Sequence, residues 1–311
     1  MENSNQTIAK RFVLLGLSNV HGLQVIFSLL FLLMFMVTFT GNFLLILVVR
    51  LNLKLQTPMY FFLSNLSFID ICFSTTVVPK IVIDTLSHDK SISFLGCAAQ
   101  LYFHLALGGS ECLLLAIMAY DRYTAICKPL QYTAIMNKIL CLFLVGGCWT
   151  ASFLNSFILT LFTFQLPFCK SNLINHFFCE MPPLFHLSCA DTWLTELAKY
   201  ISVGLTVLGS FLWILMSYFS ITLTILKISS AKERQKAFST CASHLIVVSL
   251  FYGTIMFMHL RPRHSYSPEQ DRVVTILYTV VTPMLNPIIY SIRNKDVKVA
   301  IKKTMNISIN H

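Results

Sequence analysis

Asp70, Glu111, Asp121 and Arg122 are charged residues within stretches that otherwise read as hydrocarbon. A charge placed there is costly, and such residues mark ion paths, proton relays or switches more often than packing. Asp121 and Arg122 close the apolar run that climbs from Phe94, inside the decapeptide Met118–Cys127. A charge pair at the end of a membrane helix points to a signalling receptor. Upstream of it, His104, Gly108, Glu111, Leu115, Met118 and Arg122 follow in alternating steps of four and three, so they share one helical face. At 1.5 Å per residue, Glu111 lies about 10 Å from His104 and Arg122 about 16 Å beyond Glu111. One stripe therefore joins an outer pocket, a buried acid and a terminal switch. Asp70 and Glu111 cannot both stay charged side by side without a counter-ion, so a cation sits between them or at least one is protonated. A purely structural polar network is the alternative use of the same groups.

These residues need helices that cross a membrane. Of 311 residues 56% are hydrophobic and only 12% charged, far more apolar than a soluble domain of that length. Seven stretches are long enough to cross about 30 Å of hydrocarbon, which takes about 20 helical residues: 25–49, 58–83, 94–126, 139–161, 198–226, 237–260 and 273–292. The predicted fold is an all-α membrane protein, a seven-transmembrane helix bundle with a short amphipathic helix after the last span. Segments 50–56, 127–138, 227–236 and 293–311 carry thirteen Lys or Arg against two acids, Glu233 and Asp296, which marks the cytoplasmic side. The net charge of +10 then reports topology, and no nucleic-acid partner is needed. Residues 1–24 are expected outside without a cleavable signal, with Asn5 of Asn5-Gln6-Thr7 as the plausible glycan acceptor. In the tail, residues 296–303 place Val297, Ala300 and Ile301 opposite Lys298, Lys302 and Lys303, an amphipathic helix suited to the inner membrane surface and its anionic lipids.

Several functions fail on these residues. No nucleophile, base and oxyanion set assembles, and the loops are too short to hold an enzyme. The last span has no lysine for a retinal Schiff base, and Pro283 and Pro287 break one helix without the paired repeat of a transporter. Cys97, Cys169, Cys179 and Cys189 fall on the oxidising side, where four cysteines allow three pairings. Residues 161–198 form the longest loop and hold His176, Cys179, Glu180, His186 and Cys189, ligand-type residues whose spacing matches no zinc pattern. No metal is expected there.

Asp121-Arg122-Tyr123, Asn286-Pro287-Ile288-Ile289-Tyr290, Gly41-Asn42 and Asp70, in this order across the spans, resemble the rhodopsin-like (class A) G-protein-coupled receptors. A finer resemblance covers nearly the whole chain: residues 55–70 (LQTPMYFFLSNLSFID), the decapeptide 118–127, residues 236–244 (KAFSTCASH), 251–254 (FYGT) and 283–294 (PMLNPIIYSIRN) are similar to the olfactory receptors of land-vertebrate type. That resemblance implies disulfides Cys97–Cys179 and Cys169–Cys189, and a sodium ion between Asp70 and Glu111 with Asn42 and Asn286 as neighbours. It implies a resting pair between Asp121 and Arg122 that gives way to contacts with Tyr218, Tyr290 and a stimulatory G protein, raising cyclic AMP. Tyr123, Ser239, His244 and Pro287 belong to the same switch region. The odorant set it implies is His104, Leu105, Gly108, Gly109 and Cys112, then Ser202, Val203 and Thr206, then Tyr252, Ile255, Met256 and His259, and finally Ile276 and Thr279. The implied location is the plasma membrane, with the N-terminus outside. A non-olfactory receptor for another small lipid-like molecule is the second reading, and a transporter a distant third.

Overall fold

The computed structural model describes residues 11–16, 21–87, 89–259, 268–293 and 297–302. Among them, seven helices are long and apolar enough to cross a membrane: Gln24–Leu51, Pro58–Leu86, Phe94–Cys127, Lys138–Phe164, Trp193–Leu226, Ala231–Met258 and Glu269–Ser291, hereafter spans one to seven. Span six starts six residues before the predicted boundary, because Lys232, Glu233 and Arg234 are good helix formers that continue the helix, exposed, past the apolar stretch. Capping fixes two other starts. The Ser93 hydroxyl accepts from Gly96 N–H at 3.0 Å ahead of span three, and Asn137 Oδ1 accepts from Leu140 N–H at 2.9 Å ahead of span four.

Span three is the most buried of the seven and forms the axis of the bundle. Its inward face meets Leu66, Ile69 and Phe73 of span two, Ile214 and Ile221 of span five and Phe251 of span six in one continuous core. Spans one and seven approach closely at Gly41, where a Cβ would stand 3.1 Å from Pro287 Cγ. Only glycine gives the proline ring that room. Asn42, the next residue, donates from Nδ2 to the Thr38 carbonyl at 3.0 Å and the Pro283 carbonyl at 3.1 Å, which ties span one to the proline-interrupted part of span seven.

One end of the bundle is capped by a small sheet. Strands β1 (Arg11–Leu14), β2 (Ser91–Ser93) and β3 (Leu173–Ile174) lie in the order β2-β1-β3, with β1 antiparallel to β2 and parallel to β3. Phe12 and Leu14 are fully buried against Cys97, Leu101, Phe168 and Leu184, so Arg11–Leu14 is a structural part of the cap. Disulfides Cys97–Cys179 and Cys169–Cys189 fasten the long loop to span three and to itself. Gln100 adds polar ties: its Nε2 donates to the Thr76 carbonyl and its Oε1 accepts from Cys179 N–H, both at 3.0 Å.

Two π-helical turns interrupt the spans, Gly204–Leu208 in span five and Leu277–Val281 in span seven. A wider turn rotates everything beyond it relative to a 3.6-residue helix, and such turns cluster at functional sites. After span seven, residues 297–302 are helical, and Val297 and Ala300 join the bundle core. The apolar stripe predicted to lie on the membrane surface is thus turned onto the bundle, while Lys298 and Lys302 stay exposed. Asn5 lies outside the described residues.

Candidate functional site

The stripe read from span three has its three stations in space. At the capped end, a cavity with about 600 Å³ of empty space, its mouth included, opens among spans two to seven. His104, Leu105, Gly108, Gly109 and Cys112 line it from span three, Ser202, Val203 and Thr206 from span five, and Ile255 from span six. Phe73, Asn155, Leu159, Val207, Phe251 and Tyr278 complete the wall, none of them singled out by sequence. The π-helical turns explain part of the difference. Tyr278 takes the cavity-facing position of span seven, while Ile276 packs toward spans one and two and the Thr279 hydroxyl is directed to the Thr275 carbonyl at 2.7 Å. Tyr252 is likewise corrected from ligand contact to floor: its hydroxyl lies 2.6 Å from Ser210 Oγ and donates to the Cys112 carbonyl at 3.0 Å. Met256 packs against the core outside the cavity lining. The His259 side chain lies outside the described residues.

The cavity is mostly apolar, its polar groups being the Thr206 hydroxyl and two hydrogen-bonded clusters. At one wall Ser202 Oγ donates to Asn155 Oδ1 at 2.9 Å. Toward the cap, Tyr278 Oη lies 3.3 Å from His104 Nε2 and donates to Glu180 Oε1 at 3.4 Å, joining span seven, span three and the loop. Glu180 is 6% exposed, and burial raises its carboxyl to about 7 against the opposing pull of Lys199. His176 Nε2 stands 3.8 Å from Glu180 Oε2, close enough for an ion pair, yet burial lowers that imidazole to about 3. Desolvation keeps the imidazole uncharged, so the contact is not an ion pair even where Glu180 is ionised. Cys179 and Cys189 are held in disulfides and His186 is exposed, so the ligand-type residues of the loop do not converge. Among the described residues no three His, Cys, Asp or Glu side chains gather as a metal site.

Midway along the stripe, Asp70 and Glu111 are fully buried. Asn286 Nδ2 donates to both Asp70 oxygens, at 3.1 and 3.0 Å. Both Glu111 oxygens, Asn286 Oδ1, Ser74 Oγ and Ser110 Oγ are buried without a hydrogen-bond partner. Ser74 follows Asp70 by one turn, so its orphan oxygen shares the face of that carboxylate. Hard oxygen donors with two carboxylates suit a small hard cation, and the residues present fit a sodium ion. Asn42 contributes an unpartnered Oδ1 but directs its amide N–H to spans one and seven.

At the end remote from the cap, the expected resting pair is replaced. Asp121 accepts from Tyr132 Oη at 2.8 Å, and Arg122 Nε is buried without a partner. Tyr132 sits in the short helix Tyr132–Ile135 between spans three and four, and it satisfies the carboxylate in place of the adjacent guanidinium. Tyr218 Oη lies 2.8 Å from His244 Nδ1, and His244 Nε2 lies 3.1 Å from the Leu115 carbonyl. Since a carbonyl only accepts, Nε2 carries the proton and Tyr218 donates to Nδ1. Spans three, five and six are thereby bolted together. Tyr290 Oη is buried and unpartnered, Ser239 is exposed, Pro287 packs on Gly41, and Lys128 Nζ lies 5.7 Å from the Tyr123 ring.

Seven membrane-length helices, an apolar cavity under a disulfide-fastened cap and a polar stripe ending in an unpaired arginine define a multi-pass membrane protein of receptor type. A family model described as olfactory receptor matches residues 31–307. The chain is 50% identical over 301 residues to human olfactory receptor 10A7, covering 97% of this chain and 95% of that one. It is also 50% identical over 305 residues to mouse olfactory receptor 5AP2, with 98% and 96% covered, and to human olfactory receptor 8H1, with 98% of each covered. The chain belongs to the olfactory receptor family, whose members are receptors and not enzymes.

Proposed function

We propose that the chain is an odorant receptor of the plasma membrane, with the capped end and N-terminus outside and the C-terminus in the cytoplasm. The cavity takes small, largely apolar volatile molecules, and the receptor activates a stimulatory heterotrimeric G protein that raises cyclic AMP. The observation that carries this reading is the shared helix: span three lines the cavity at one end and presents Arg122 at the other, with Glu111 between. The basic residues collected at the Arg122 end support the orientation. Arg122 Nε and Tyr290 Oη, without hydrogen-bond partners while His244 bolts spans three, five and six, support reading this arrangement as a resting state with partners in reserve. A ligand that binds the opened arrangement better than the bolted one shifts the population toward it. A sodium ion among Asp70, Glu111 and Asn286 supplies positive charge that favours the resting arrangement.

The test is a cyclic AMP screen of a diverse volatile panel on cells expressing the full chain, beside Arg122→Ala. Activation by some panel members, with the Arg122→Ala response falling to background at equal surface expression, is the expected result. A full response from Arg122→Ala removes the switch assignment. Ion flux in a membrane free of G proteins would favour a transporter instead.

A further inference from the structure

The polar end of the cavity holds a hydrogen-bond acceptor with no donor. Tyr278 has one hydroxyl proton and two neighbours, Glu180 Oε1 at 3.4 Å and His104 Nε2 at 3.3 Å. An ionised carboxylate only accepts, so the phenol proton goes to Glu180. The phenol oxygen must then accept from His104, which places the imidazole proton on Nε2. A neutral imidazole has a single N–H, so Nδ1 is left as a bare lone pair. Nδ1 is buried without a hydrogen-bond partner, His104 is 6% exposed, and the residue lines the cavity. The rings of Phe73 and Phe178, with centroids 5.1 and 4.8 Å away, confine the imidazole and oppose its turning over. An acceptor buried without a donor is destabilising, and a ligand that brings the donor relieves it.

We propose that the cavity selects hydroxyl-bearing volatile molecules, alcohols and phenols, over carbonyl compounds of the same shape, with the ligand hydroxyl donating to His104 Nδ1. The inference rests on the reading of the chain as an odorant receptor and adds the ligand class. A ketone, aldehyde or ester meets Nδ1 lone pair to lone pair. Asn155, across the cavity, has its carbonyl engaged by Ser202, and its amide N–H serves an oxygen of either class. The hydroxyls of Ser202 and Thr206 can turn either to donate or to accept, so the one fixed acceptor of the lining is His104.

The experiment measures cyclic AMP dose–response curves for alcohol and ketone pairs of identical carbon skeleton, with receptor surface level recorded for each variant. In the wild type the alcohols act at concentrations about tenfold lower than their ketones. His104→Phe abolishes that difference by weakening the alcohols. Tyr278→Phe leaves either tautomer open, so the difference narrows while alcohols remain active. Equal potency of the pairs in the wild type, or a preference undiminished in His104→Phe, overturns the proposal. The wild-type ratio alone decides the matter should either variant fail to reach the surface. If only hydrocarbons or esters activate, the ligand class falls and the receptor reading stands; if nothing in a broad panel activates, both fall.

Discussion

Glu180 gives the His104 tautomer a dependence on pH. The groups facing Glu180 are Tyr278 and Asp271 of span seven, Lys199 of span five and His176 of its own loop, with Arg272 acting on it through His176. His176, lowered to about 3, stays neutral through the physiological range, so Glu180, raised to about 7, is the group that titrates. Above about 7 its carboxylate accepts from the Tyr278 hydroxyl and His104 Nδ1 is left as the bare acceptor. As external pH falls through about 7 the carboxyl gains a proton and donates to Tyr278, which then donates to His104 Nε2 and moves the ring proton to Nδ1. The alcohol-over-ketone potency ratio is thus expected to shrink between about pH 8 and about pH 6 and to stay flat in Glu180→Gln. Paired dose–response curves at the two pH values check this, and a flat wild-type ratio removes Glu180 from the relay. None of this was legible in the sequence. Glu180 and Tyr278 are 98 residues apart, and Glu180 reads there as one ligand-type residue among five in a loop.

Among elements, what could be read was whatever depends on length and period, and what could not was pairing across distance and departures from the period. Spans 94–126 and 58–83 were legible to within a few residues because hydrocarbon thickness and apolar composition determine them. β1 was not, since four residues show no usable pattern and Phe12 and Leu14 find their burial against segments distant in the chain. On span seven the resemblance implied Ile276 and Thr279, while Tyr278, inside the π-helical turn Leu277–Val281, is the residue that lines the cavity. The same limit hid the role of His244, placed at the start of span six as part of a motif but revealed as the bolt among spans three, five and six. His244→Phe retains a ring beside Tyr218 and removes both hydrogen bonds. At about 1 kcal/mol for each, the resting arrangement loses about tenfold or more in population relative to the open one. Basal cyclic AMP per receptor at the surface should rise accordingly, with a smaller rise in Tyr218→Phe, which breaks only one of the two. Unchanged basal signalling in both would reduce the cluster to packing.

At the scale of the molecule, cavity and switch are separate sites on one rigid helix, so what couples them is whatever both arrangements of the bundle must share. The buried acids are placed for that role. Asp70 belongs to span two, Glu111 to span three and Asn286 to span seven, and the hydrogen bonds of Asn286 Nδ2 go to the two Asp70 oxygens. Two buried carboxylates that act on one another need a cation or a shared proton, and either one holds the three spans together only while they remain close. If the occupant is sodium and it prefers the resting arrangement, reciprocity requires that sodium weaken odorant potency and that odorant weaken sodium binding. Wild-type potency should then fall several-fold as sodium replaces a large organic cation at constant ionic strength. Glu111→Gln, which keeps the shape and removes the charge, should lose that dependence, with higher basal cyclic AMP at an equal surface level. A wild type indifferent to sodium, with Glu111→Gln signalling normally, would assign the site to a proton held between the carboxylates and leave the His244 bolt as the element that both states must break.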